Sequence, residues 1–463
     1  MTAPFSAKDV LRWTQGRLAS GKPSTLFNAA VIDSRLVSEG HLFIAIVGPN
    51  HDAHRFLPQV LEASAAGVLV KPGTRVQAGT ACVIEVEDTV AALAAVAAGH
   101  RSLFEGPVVA ITGSSGKTTT KEMCAAILQA AGPCLKTQGN LNNEFGLPLT
   151  LLQREDRHQR LVVELGMNHR GEIARLASIA QPTIALVTNC GLAHIEFLGS
   201  REAIAEEKGD LYAALEPNGV AVANLDDPLA NAQARRFEGR VIEYSCGEQG
   251  DVRARNSRLV DGEAFVFDLE TPLGKAALRV AGLSQTTVTN AAAASAAAIA
   301  AGTDLEAVVT GLERYRPPDG RMTHYQIADG ATLIDDSYNA NPASMRASLE
   351  ALSALATSAQ AVAVVGDMGE LGAAGEDAHR ETGRIAAELG IDWLIAVGEH
   401  APLVIEGARE AGMEPERSLV ASGTDAATRF VRQCLQKNDW VLIKGSRAMK
   451  LERVVQTLRG GSD

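Results

Sequence analysis

Apolar runs of strand length alternate with helix-like segments along the middle of the chain. Residues 160–164 and 183–188 contain continuous apolar runs, a pattern typical of parallel strands that are buried on both faces. Between about 240 and 280 the pattern changes, and residues 265–280 predict an antiparallel hairpin at an edge of the same sheet. The alanine-rich run after Asn290 predicts a helix from intrinsic propensity. We therefore expect an α/β domain with a mainly parallel sheet in this part of the chain.

Similar apolar runs occur before and after this central part, separated by turns that contain glycine or proline. The first hundred residues also contain a helical stretch at 56–66, and further helical stretches separate the runs of the last third. The predicted strands outside the central part lie at 42–47, 67–70, 82–85, 331–335, 361–365, 393–397 and 440–444.

The length of 463 residues is too great for one hydrophobic core and suggests three domains of about 150 residues each. We expect a small α/β N-terminal domain at 1–100, a central parallel-sheet domain at 101–316 and a C-terminal Rossmann-like α/β domain at 317–463. The segment 316–321, Arg-Pro-Pro-Asp-Gly-Arg, is rich in turn-forming residues and is expected to be the hinge before the last domain.

Composition and charge restrict the classes of function. The net charge of −12 argues against a general nucleic-acid binder, because affinity for the phosphate backbone needs clustered cations. The first ten residues lack the apolar segment of a signal peptide, and the longest small-apolar stretch, 291–301, is too short to cross a bilayer. Six cysteines without metal-binding spacing are expected to be reduced thiols. We therefore expect a cytoplasmic protein without membrane insertion, and no sequence feature requires more than a monomer.

The segment around residue 115 carries the strongest chemical signal. An apolar strand at 107–112 is followed by a loop framed by Gly113 and Gly116, then by Lys117 and Thr118, and then by a helix-like stretch at 121–130. Backbone N–H groups and the positive end of a helix can bind phosphate oxygens, while the lysine adds charge and the threonine hydroxyl can bind Mg²⁺. The pattern predicts a nucleoside triphosphate site in a central P-loop ATPase domain, although the usual first glycine is replaced by Ile111.

Three further polar residues follow the central strands. Glu164 ends a predicted strand, His194 follows the next one, and Lys208 lies in a charged helical stretch at 201–210. Because the carboxyl ends of parallel strands meet at one edge of a sheet, the carboxylate and the imidazole are suitable magnesium ligands beside the P-loop. Two alternatives remain open from spacing alone: His194 can be a capping or core residue, and Lys208 can be a solvated helix charge.

A second polar cluster follows the strands of the last domain. The segment 335–344 contains two acids and two asparagines, and 366–372 and 444–447 end two later strands of the same predicted sheet. Such a cluster can bind a ribose, a magnesium-bound phosphate or a second substrate, but Asp, Ser and Asn are also ordinary helix caps. Three polar loops at one edge favour a binding cleft.

These motifs resemble those of the Mur ligases, ATP-dependent enzymes that form amide bonds in peptidoglycan precursor synthesis. Thr112-Gly-Ser-Ser-Gly-Lys-Thr-Thr119 is similar to the family's short P-loop, which accounts for the missing glycine at 111. The resemblance covers nearly the whole chain. The other segments that carry it are Asp33-Ser-Arg35, Asp52-Ala-His54, 139–146, 164–172, 335–342, 366–372 and 444–447.

The resemblance implies a role for individual residues at each site. It places ATP at Gly113, Ser114, Ser115, Gly116, Lys117, Thr118, Thr119, Asn290, Arg321 and Asp336, with Lys117, Glu164, His194 and Lys208 as catalytic residues. It places magnesium at Thr118, Glu164, His194 and Lys208, the lysine being carbamylated in some members of the family. It places the UDP substrate at Ser34, Arg35, Asp52 and His54, and the second substrate near Asn339 and Asn341.

The activity that the resemblance implies joins D-alanyl-D-alanine to UDP-N-acetylmuramoyl-tripeptide through an acyl phosphate, with ATP as a substrate and Mg²⁺ as the metal. The Asp-Asn-Pro-Arg motif of the relative that adds diaminopimelate is absent, which favours the addition of the dipeptide. Thr286-Thr287 stands where the family usually has His-Asn. Two alternatives are a folylpolyglutamate synthetase, which would not use a uridine-binding domain, and a P-loop switch protein, which would need mobile switch loops.

Overall fold

The computed structural model describes residues 2–48, 51–77, 79–327 and 330–460. The chain forms three α/β domains in sequence, and each is built around its own large sheet. This agrees with the predicted fold class.

The N-terminal domain contains a five-stranded sheet in the order β2-β7-β6-β5-β4 and a separate antiparallel pair, β1 with β3. Four of the five strands are parallel, and β2 runs antiparallel to β7 at the edge. The strands are β1 (Phe5–Ser6), β2 (Arg17–Ser20), β3 (Leu26–Phe27), β4 (Ala29–Val31), β5 (His41–Ile44), β6 (Gly67–Val70) and β7 (Cys82–Glu85), and the helices are α1 (Ala7–Thr14), α2 (Leu57–Glu62) and α3 (Thr89–Ser102).

The central domain is built on a nine-stranded sheet in the order β16-β15-β14-β13-β12-β11-β8-β10-β9. The strands are β8 (Val108–Thr112), β9 (Cys134–Lys136), β10 (Arg160–Glu164), β11 (Ile184–Val187), β12 (Val220–Asn224), β13 (Arg240–Ser245), β14 (Val252–Val260), β15 (Ala264–Thr271) and β16 (Gly274–Ala281). The helices are α4 (Lys117–Ala130), α5 (Gly146–Leu151), α6 (Glu172–Ala180), α7 (Ile195–Leu198), α8 (Arg201–Ala213), α9 (Pro228–Ala234), α10 (Thr286–Ala300) and α11 (Leu305–Arg314).

The parallel part of this sheet brings the predicted site residues together. The strand before the P-loop, β8, pairs in parallel with β10 on one side and with β11 on the other. Every residue of β8 is buried, as expected for a strand that is covered by helices on both faces. The loops that follow β8, β10 and β11 therefore leave the sheet at the same edge. The opposite end of the sheet is the antiparallel meander β14-β15-β16, which confirms the predicted hairpin at 265–280 and adds one strand to it.

The C-terminal domain has a six-stranded sheet in the order β17-β18-β22-β19-β20-β21, in which only β17 is antiparallel to its neighbour. The strands are β17 (Thr323–Gln326), β18 (Thr332–Asp336), β19 (Ala361–Gly366), β20 (Trp393–Val397), β21 (Ser418–Ala421) and β22 (Trp440–Lys444). The helices are α12 (Pro342–Leu355), α13 (Gly375–Glu388), α14 (Ala401–Glu410), α15 (Thr424–Cys434) and α16 (Glu452–Leu458).

The N-terminal and central domains share one hydrophobic core. The same buried cluster contains Phe27 of the N-terminal domain and Leu147 of the central domain, and α3 packs against α5 and α6. Arg101, near the end of α3, donates hydrogen bonds to the carbonyl oxygens of Ala180 at 2.9 Å and Gln181 at 2.7 Å. Buried clusters cover the two faces of the C-terminal sheet, and Leu283 of the central domain belongs to one of them, so this boundary is crossed by fewer buried apolar side chains than the first.

Two helix boundaries differ from the sequence prediction. Helix α4 begins at Lys117 rather than 121, because Gly116 ends the loop in a left-handed conformation (φ 76°) and the polar residues after it already form helix. The stretch predicted as one helix at 56–66 is only α2, which a short 3-10 turn, Ala53–Phe56, precedes.

All six cysteines lie within the described ranges, and none forms a disulfide, as the sequence predicted. Four of them are buried, and burial raises the pKa of Cys82 to about 11. Within the described residues, no helix has both the length and the apolar character needed to cross a bilayer.

Gly311 sets the distance between α11 and the P-loop helix α4. A Cβ added at this position would lie 2.3 Å from Cα of Ile127, which is far closer than packed atoms allow. We expect Gly311→Ala to lower the free energy of unfolding by about 1–3 kcal/mol, because the two helices must move apart. Urea unfolding measures this change. Glu313→Ala at an exposed position of the same helix is the control and should change stability by less than about 0.5 kcal/mol.

Candidate functional site

A cleft of about 620 Å³ lies between the central and C-terminal domains. One wall is the carboxyl edge of the central sheet, with the loop after β8, Glu164 and His194. The other wall consists of Arg321, the loop after β18 and Lys444 at the end of β22. The cleft is therefore lined by the ends of parallel strands from two sheets, the usual place for ligands in α/β proteins.

The P-loop backbone passes close to two neighbouring side chains at its glycines. A Cβ at Gly113, where φ is 150°, would lie 1.8 Å from Oγ1 of Thr188. A Cβ at Gly116 would lie 2.5 Å from Oδ1 of Asn290, and this oxygen also accepts a hydrogen bond from Thr120 at 3.2 Å. Both glycines are therefore required by contact as well as by conformation, and Asn290 lies directly against the loop.

Asn189, which the sequence analysis did not assign to the site, holds the middle of the P-loop. Its Oδ1 accepts hydrogen bonds from the backbone N–H (3.0 Å) and the hydroxyl (3.2 Å) of Ser115, and its Nδ2 donates to the carbonyl oxygen of Ser115 at 3.0 Å. Thr188 donates to the same carbonyl at 2.7 Å. Ser114 is held in a similar way, since its hydroxyl accepts from the N–H of Gly191 at 2.9 Å. The loop is thus fixed by the segment that follows β11.

Lys117 is folded back over the P-loop. Its Nζ donates a hydrogen bond to the carbonyl oxygen of Gly113 at 2.6 Å. Burial lowers the pKa of Lys117, and the cation of Arg321 lowers it further, whereas the carboxylate of Glu164 acts in the opposite direction. Thr118, the first residue after this lysine, also lines the cleft, and so does Thr119. A cation and two hydroxyls therefore meet where phosphate is expected to bind.

Glu164 is a buried carboxylate with one oxygen left for a ligand. It is 2% exposed, and its Oε1 accepts a hydrogen bond from Nδ2 of Asn142 at 2.8 Å. Its Oε2 is buried and has no hydrogen-bond partner among the described residues. The nearest cation is Nζ of Lys121 at 3.9 Å, which donates instead to the carbonyl oxygen of Thr137 at 2.8 Å. A buried carboxylate oxygen without a partner is costly, so this one is suited to a metal ion or its bound water.

His194 and Lys208 occupy different positions relative to the cleft. His194 lines it, in a left-handed conformation (φ 67°) just before α7, and its Nδ1 lies 2.5 Å from Oε2 of Glu370 in the C-terminal domain. Lys208 does not line the cleft; it is 1% exposed within α8. Burial and, secondarily, repulsion by Lys117 lower the pKa of Lys208 to about 7. The prospect that Lys208 is a solvated helix charge is therefore excluded.

The C-terminal wall is held together by Lys444. This buried lysine donates to Oδ2 of Asp336 at 2.6 Å and to the carbonyl oxygen of Asn339 at 3.0 Å. The guanidinium of Arg321 lies 4.2 Å from the centre of the Tyr338 ring, within the range of a cation–π interaction. All these groups face the P-loop across the cleft.

One hydrogen bond joins this wall directly to the P-loop. Nδ2 of Asn341 donates to the carbonyl oxygen of Ser114 at 3.4 Å. Asn341 is also the N-cap of α12, so both possibilities that the sequence left open, capping and cleft formation, hold for this residue.

The residues expected to bind UDP lie in the N-terminal domain, outside this cleft. Ser34 and Arg35 form a short 3-10 turn after β4, and the Arg35 side chain pairs with Asp33, whose pKa falls to about 2 mainly through this hydrogen bond. After β5, Nδ1 of His54 lies 2.6 Å from Oδ1 of Asp52, and Nε2 of His54 accepts the N–H of Lys71 at 3.0 Å. Because β4, β5 and β6 are parallel, these turns lie at one edge of the sheet.

The structure thus brings most of the expected ATP-site residues to one cleft, and leaves Lys208 behind its wall and the UDP residues in another domain. Thr286 and Thr287, which replace the family's usual pair, line the same cleft at the start of α10. Sequence reasoning did not single out Lys121 and Asn189, and it named Asn142, Glu370 and Lys444 only as members of the segments 139–146, 366–372 and 444–447. Their position after strands was a usable signal for Asn189, Glu370 and Lys444, which follow or end β11, β19 and β22.

Within the described part of the chain, no group of three or more His, Cys, Asp and Glu side chains is arranged to hold a metal. Mg²⁺ needs no such group, because it is usually bound by one or two carboxylates together with water and substrate phosphates. The oxygen of Glu164 that has no hydrogen-bond partner among the described residues fits that requirement, and Thr118 lines the same cleft.

A phosphate-binding loop with a buried carboxylate beside it, facing a second α/β domain across a polar cleft, defines a nucleotide-dependent enzyme whose active site is shared by two domains. The Mur ligase middle domain family matches residues 111–298, and the family described as Mur ligase, glutamate ligase domain, matches residues 320–447. The chain belongs to the Mur ligase family, and it is accordingly an ATP-dependent ligase that uses Mg²⁺.

Similar proteins cover the chain almost from end to end. The UDP-N-acetylmuramoyl-tripeptide–D-alanyl-D-alanine ligase of Synechocystis is 38% identical over 93% of this chain and 92% of its own length. A crystal structure of MurF from Acinetobacter baumannii is 35% identical, covers 99% of both chains and has a TM-score of 0.90. The structure of MurF from Thermotoga maritima in complex with ADP is 29% identical, with a TM-score of 0.83 and coverage of 93% of this chain and 97% of its own.

We expect Asn189→Ala to weaken nucleotide binding, because it removes both the acceptor and the donor that hold Ser115. The N–H of Ser115 then loses its acceptor, while its carbonyl keeps the hydrogen bond from Thr188. Leaving the N–H without a partner costs about 1–3 kcal/mol, which corresponds to roughly 5- to 150-fold weaker binding. Isothermal titration with ADP measures the change. Asn218→Ala, at an exposed loop position, is the matched control and should bind ADP as the unmodified protein does. Equal affinity of all three proteins would contradict the assigned role of Asn189.

Proposed function

We propose that the chain joins the amino group of D-alanyl-D-alanine to the C-terminal carboxylate of UDP-N-acetylmuramoyl-tripeptide, with release of ADP and phosphate. The observation that carries this proposal is the two-domain cleft, in which the P-loop faces Arg321, Asp336 and Asn341. Relatives named UDP-N-acetylmuramoyl-tripeptide–D-alanyl-D-alanine ligase match more than nine-tenths of the chain, including the N-terminal domain that a UDP substrate requires. We also propose that the enzyme is cytoplasmic and monomeric. Sedimentation of the purified protein tests its oligomeric state.

In this proposal each of the three domains binds a different substrate. Residues 1–100 bind the UDP end of the first substrate, with Ser34 and Arg35 after β4 and Asp52 and His54 after β5. Residues 101–316 bind ATP, and residues 317–463 bind the dipeptide and complete the ATP site. The polar turns at the carboxyl edge of each parallel sheet support this division, because ligands of α/β domains bind at that edge.

A carboxylate is a poor electrophile, so the reaction needs two steps. The tripeptide carboxylate attacks the γ-phosphorus of ATP, and the new O–P bond forms as the bond to ADP breaks. The dipeptide amine then attacks the carbonyl carbon of the acyl phosphate, loses a proton and expels phosphate. Lys117 and the N–H groups of the P-loop orient the transferred phosphoryl group and offset its charge, which is the main protein contribution to phosphoryl transfer.

In this proposal Thr118 and Glu164 would hold one magnesium ion, and Glu164, His194 and a carbamylated Lys208 would hold a second. The partnerless Oε2 of Glu164 supports this set. Magnesium bound there supplies positive charge to phosphate oxygens during transfer. A carbamate converts the buried ammonium of Lys208 into an anion, which removes its repulsion of Lys117.

Arg321 and Asp336 contact ATP from the C-terminal side in this proposal, and Asn339 and Asn341 lie near the dipeptide. Because these residues belong to the C-terminal domain and its connecting segment, the ATP site is complete only while the two domains are together. The same closure keeps water away from the acyl phosphate, which would otherwise hydrolyse.

The complete reaction provides the direct test. We expect phosphate release from ATP to require both UDP-N-acetylmuramoyl-tripeptide and D-alanyl-D-alanine, with the UDP-pentapeptide detected by mass. Turnover with folate and glutamate would favour the folylpolyglutamate synthetase alternative. ATP hydrolysis that needs no amine would favour a switch protein.

Lys117→Ala should lower kcat at least about 100-fold, because it removes a cation from the developing phosphoryl charge. Binding of the UDP substrate should be unchanged, since its residues lie in the N-terminal domain. Lys275→Ala, at an exposed site, is the control for loss of a lysine. Turnover assays and UDP-substrate titration of the same samples separate the two effects. Loss of UDP-substrate binding in folded Lys117→Ala would contradict the assignment of the two substrates to different domains.

Arg35→Ala should give the reverse result, with weaker UDP-substrate binding and unchanged ADP affinity. A point substitution is preferable to removal of the N-terminal domain, because that domain shares its hydrophobic core with the central one. ADP affinity that falls together with UDP-substrate affinity would contradict the assignment of Arg35.

Carbamylation of Lys208 should increase from about pH 6 to about pH 8. The neutral amine attacks carbon dioxide, an N–C bond forms and a proton leaves; the pKa of about 7 makes that amine abundant only above neutrality. NMR with ¹³C-bicarbonate measures the carbamate signal, and Lys208→Arg should abolish it, because an arginine stays protonated. A signal that persists in Lys208→Arg, or that does not increase with pH, would contradict the prediction.

A further inference from the structure

The contact between His194 and Glu370 joins two domains at the edge of the proposed magnesium site. Oε2 of Glu370 lies 2.5 Å from Nδ1 of His194 as an ion pair, and the histidine is the more buried of the two. Nδ1 makes no hydrogen bond of regular geometry with the described residues, so the contact is electrostatic. Both residues have positive φ angles, 62° for Glu370 and 67° for His194, although neither is glycine. Such conformations are uncommon for side chains of this size and persist where surrounding contacts hold them.

The loop that carries Glu370 is fixed from within the C-terminal domain. The carboxylate of Asp367 accepts hydrogen bonds from two backbone N–H groups of the turn at 398–400, at 2.8 and 3.1 Å. Nε2 of the buried His379 accepts the N–H of Met368 at 2.9 Å, and its Nδ1 bonds the carbonyl oxygen of Gly375 at 2.6 Å. The position of Glu370 is therefore set by its own domain.

The central domain meets this loop with the segment that carries His194. The N–H of Glu196 donates to the carbonyl oxygen of Glu370 at 3.2 Å, and a Cβ at Gly372 would lie 3.2 Å from Cα of Glu196. Ile195, next to the histidine, packs against the core of the C-terminal domain. The imidazole and the carboxylate are thus held together by backbone contacts on both sides of the domain boundary.

We propose that Glu370 is a positioning residue for His194. Its carboxylate lies against Nδ1 and favours a proton on that nitrogen, which leaves Nε2 with the free lone pair that a metal requires. Partners of this kind commonly orient metal-bound histidines. Glu370 belongs to the other domain, so His194 has this partner only when the two domains are in contact. The tautomer of His194, and with it the affinity of the site for metal, therefore depends on domain closure. The inference rests on the proposed function, in which His194 is a magnesium ligand.

Three substitutions test the proposal in the full-length protein. Glu370→Ala removes the acceptor, Glu370→Gln keeps an acceptor oxygen without the charge, and Glu376→Gln at an exposed position of α13 is the matched control. Mn²⁺ is the probe, and its affinity in the presence of ADP is measured by electron paramagnetic resonance. Ring ¹⁵N chemical shifts report the tautomer of His194, with His194→Gln used to assign the signal.

We expect Glu370→Ala to weaken Mn²⁺ binding roughly 10- to 100-fold and to give a mixture of His194 tautomers. Glu370→Gln should retain the tautomer and lose less affinity, and Glu376→Gln should match the unmodified protein. Unchanged Mn²⁺ affinity or an unchanged tautomer in Glu370→Ala would overturn the proposal. Neither readout requires turnover, so an unmodified protein that fails to make the UDP-pentapeptide would refute the proposed function and leave the test of Glu370 intact.

Discussion

The hydrogen bonds between the P-loop and the end of β11 are the constraint on which the site depends. A loop that binds phosphate must be held in one shape, and those of its polar groups that do not face the ligand need partners within the protein. Thr188 and Asn189 provide those partners for Ser115, and the narrow space beside Thr188 admits only glycine at 113. The parallel pairing of β8 with β11 brings these residues into register, so the geometry of the phosphate site follows from the central sheet.

The two domain boundaries of the chain differ in kind. Between the N-terminal and central domains, apolar side chains form a continuous core, and Arg101 satisfies backbone carbonyls across the boundary. Between the central and C-terminal domains, Asn341 and the pair His194–Glu370 bridge a polar cleft, and Leu283 and Ile195 add a small apolar contact. Hydrophobic contact resists separation in proportion to the area it covers, whereas a few polar contacts can exchange with water. Relative motion is therefore concentrated at the second boundary.

Sequence reasoning recovered the strands best where burial on both faces requires an unbroken apolar run. The strands predicted at 67–70, 82–85 and 160–164 coincide with β6, β7 and β10. It recovered the chemistry where a motif is local, as in the P-loop. It could not find the pairing of His194 with Glu370, because the two residues are far apart in the chain and a carboxylate after a strand is common. The start of α4 was missed because its first turn is polar.

The hydrophobic core shared by the first two domains also restrains the distance between the UDP-binding turns and the P-loop. If the nucleotide end of a substrate is anchored after β4 and β5, and the phosphate of ATP is fixed by the P-loop, the shared hydrophobic core restrains the separation of the two points. The length of the linking peptide then decides which carboxylate reaches the phosphorus. A shorter peptide falls short of it and a longer one overshoots. Selection by number of residues would thus be built into the scaffold, independently of any pocket that recognises a side chain.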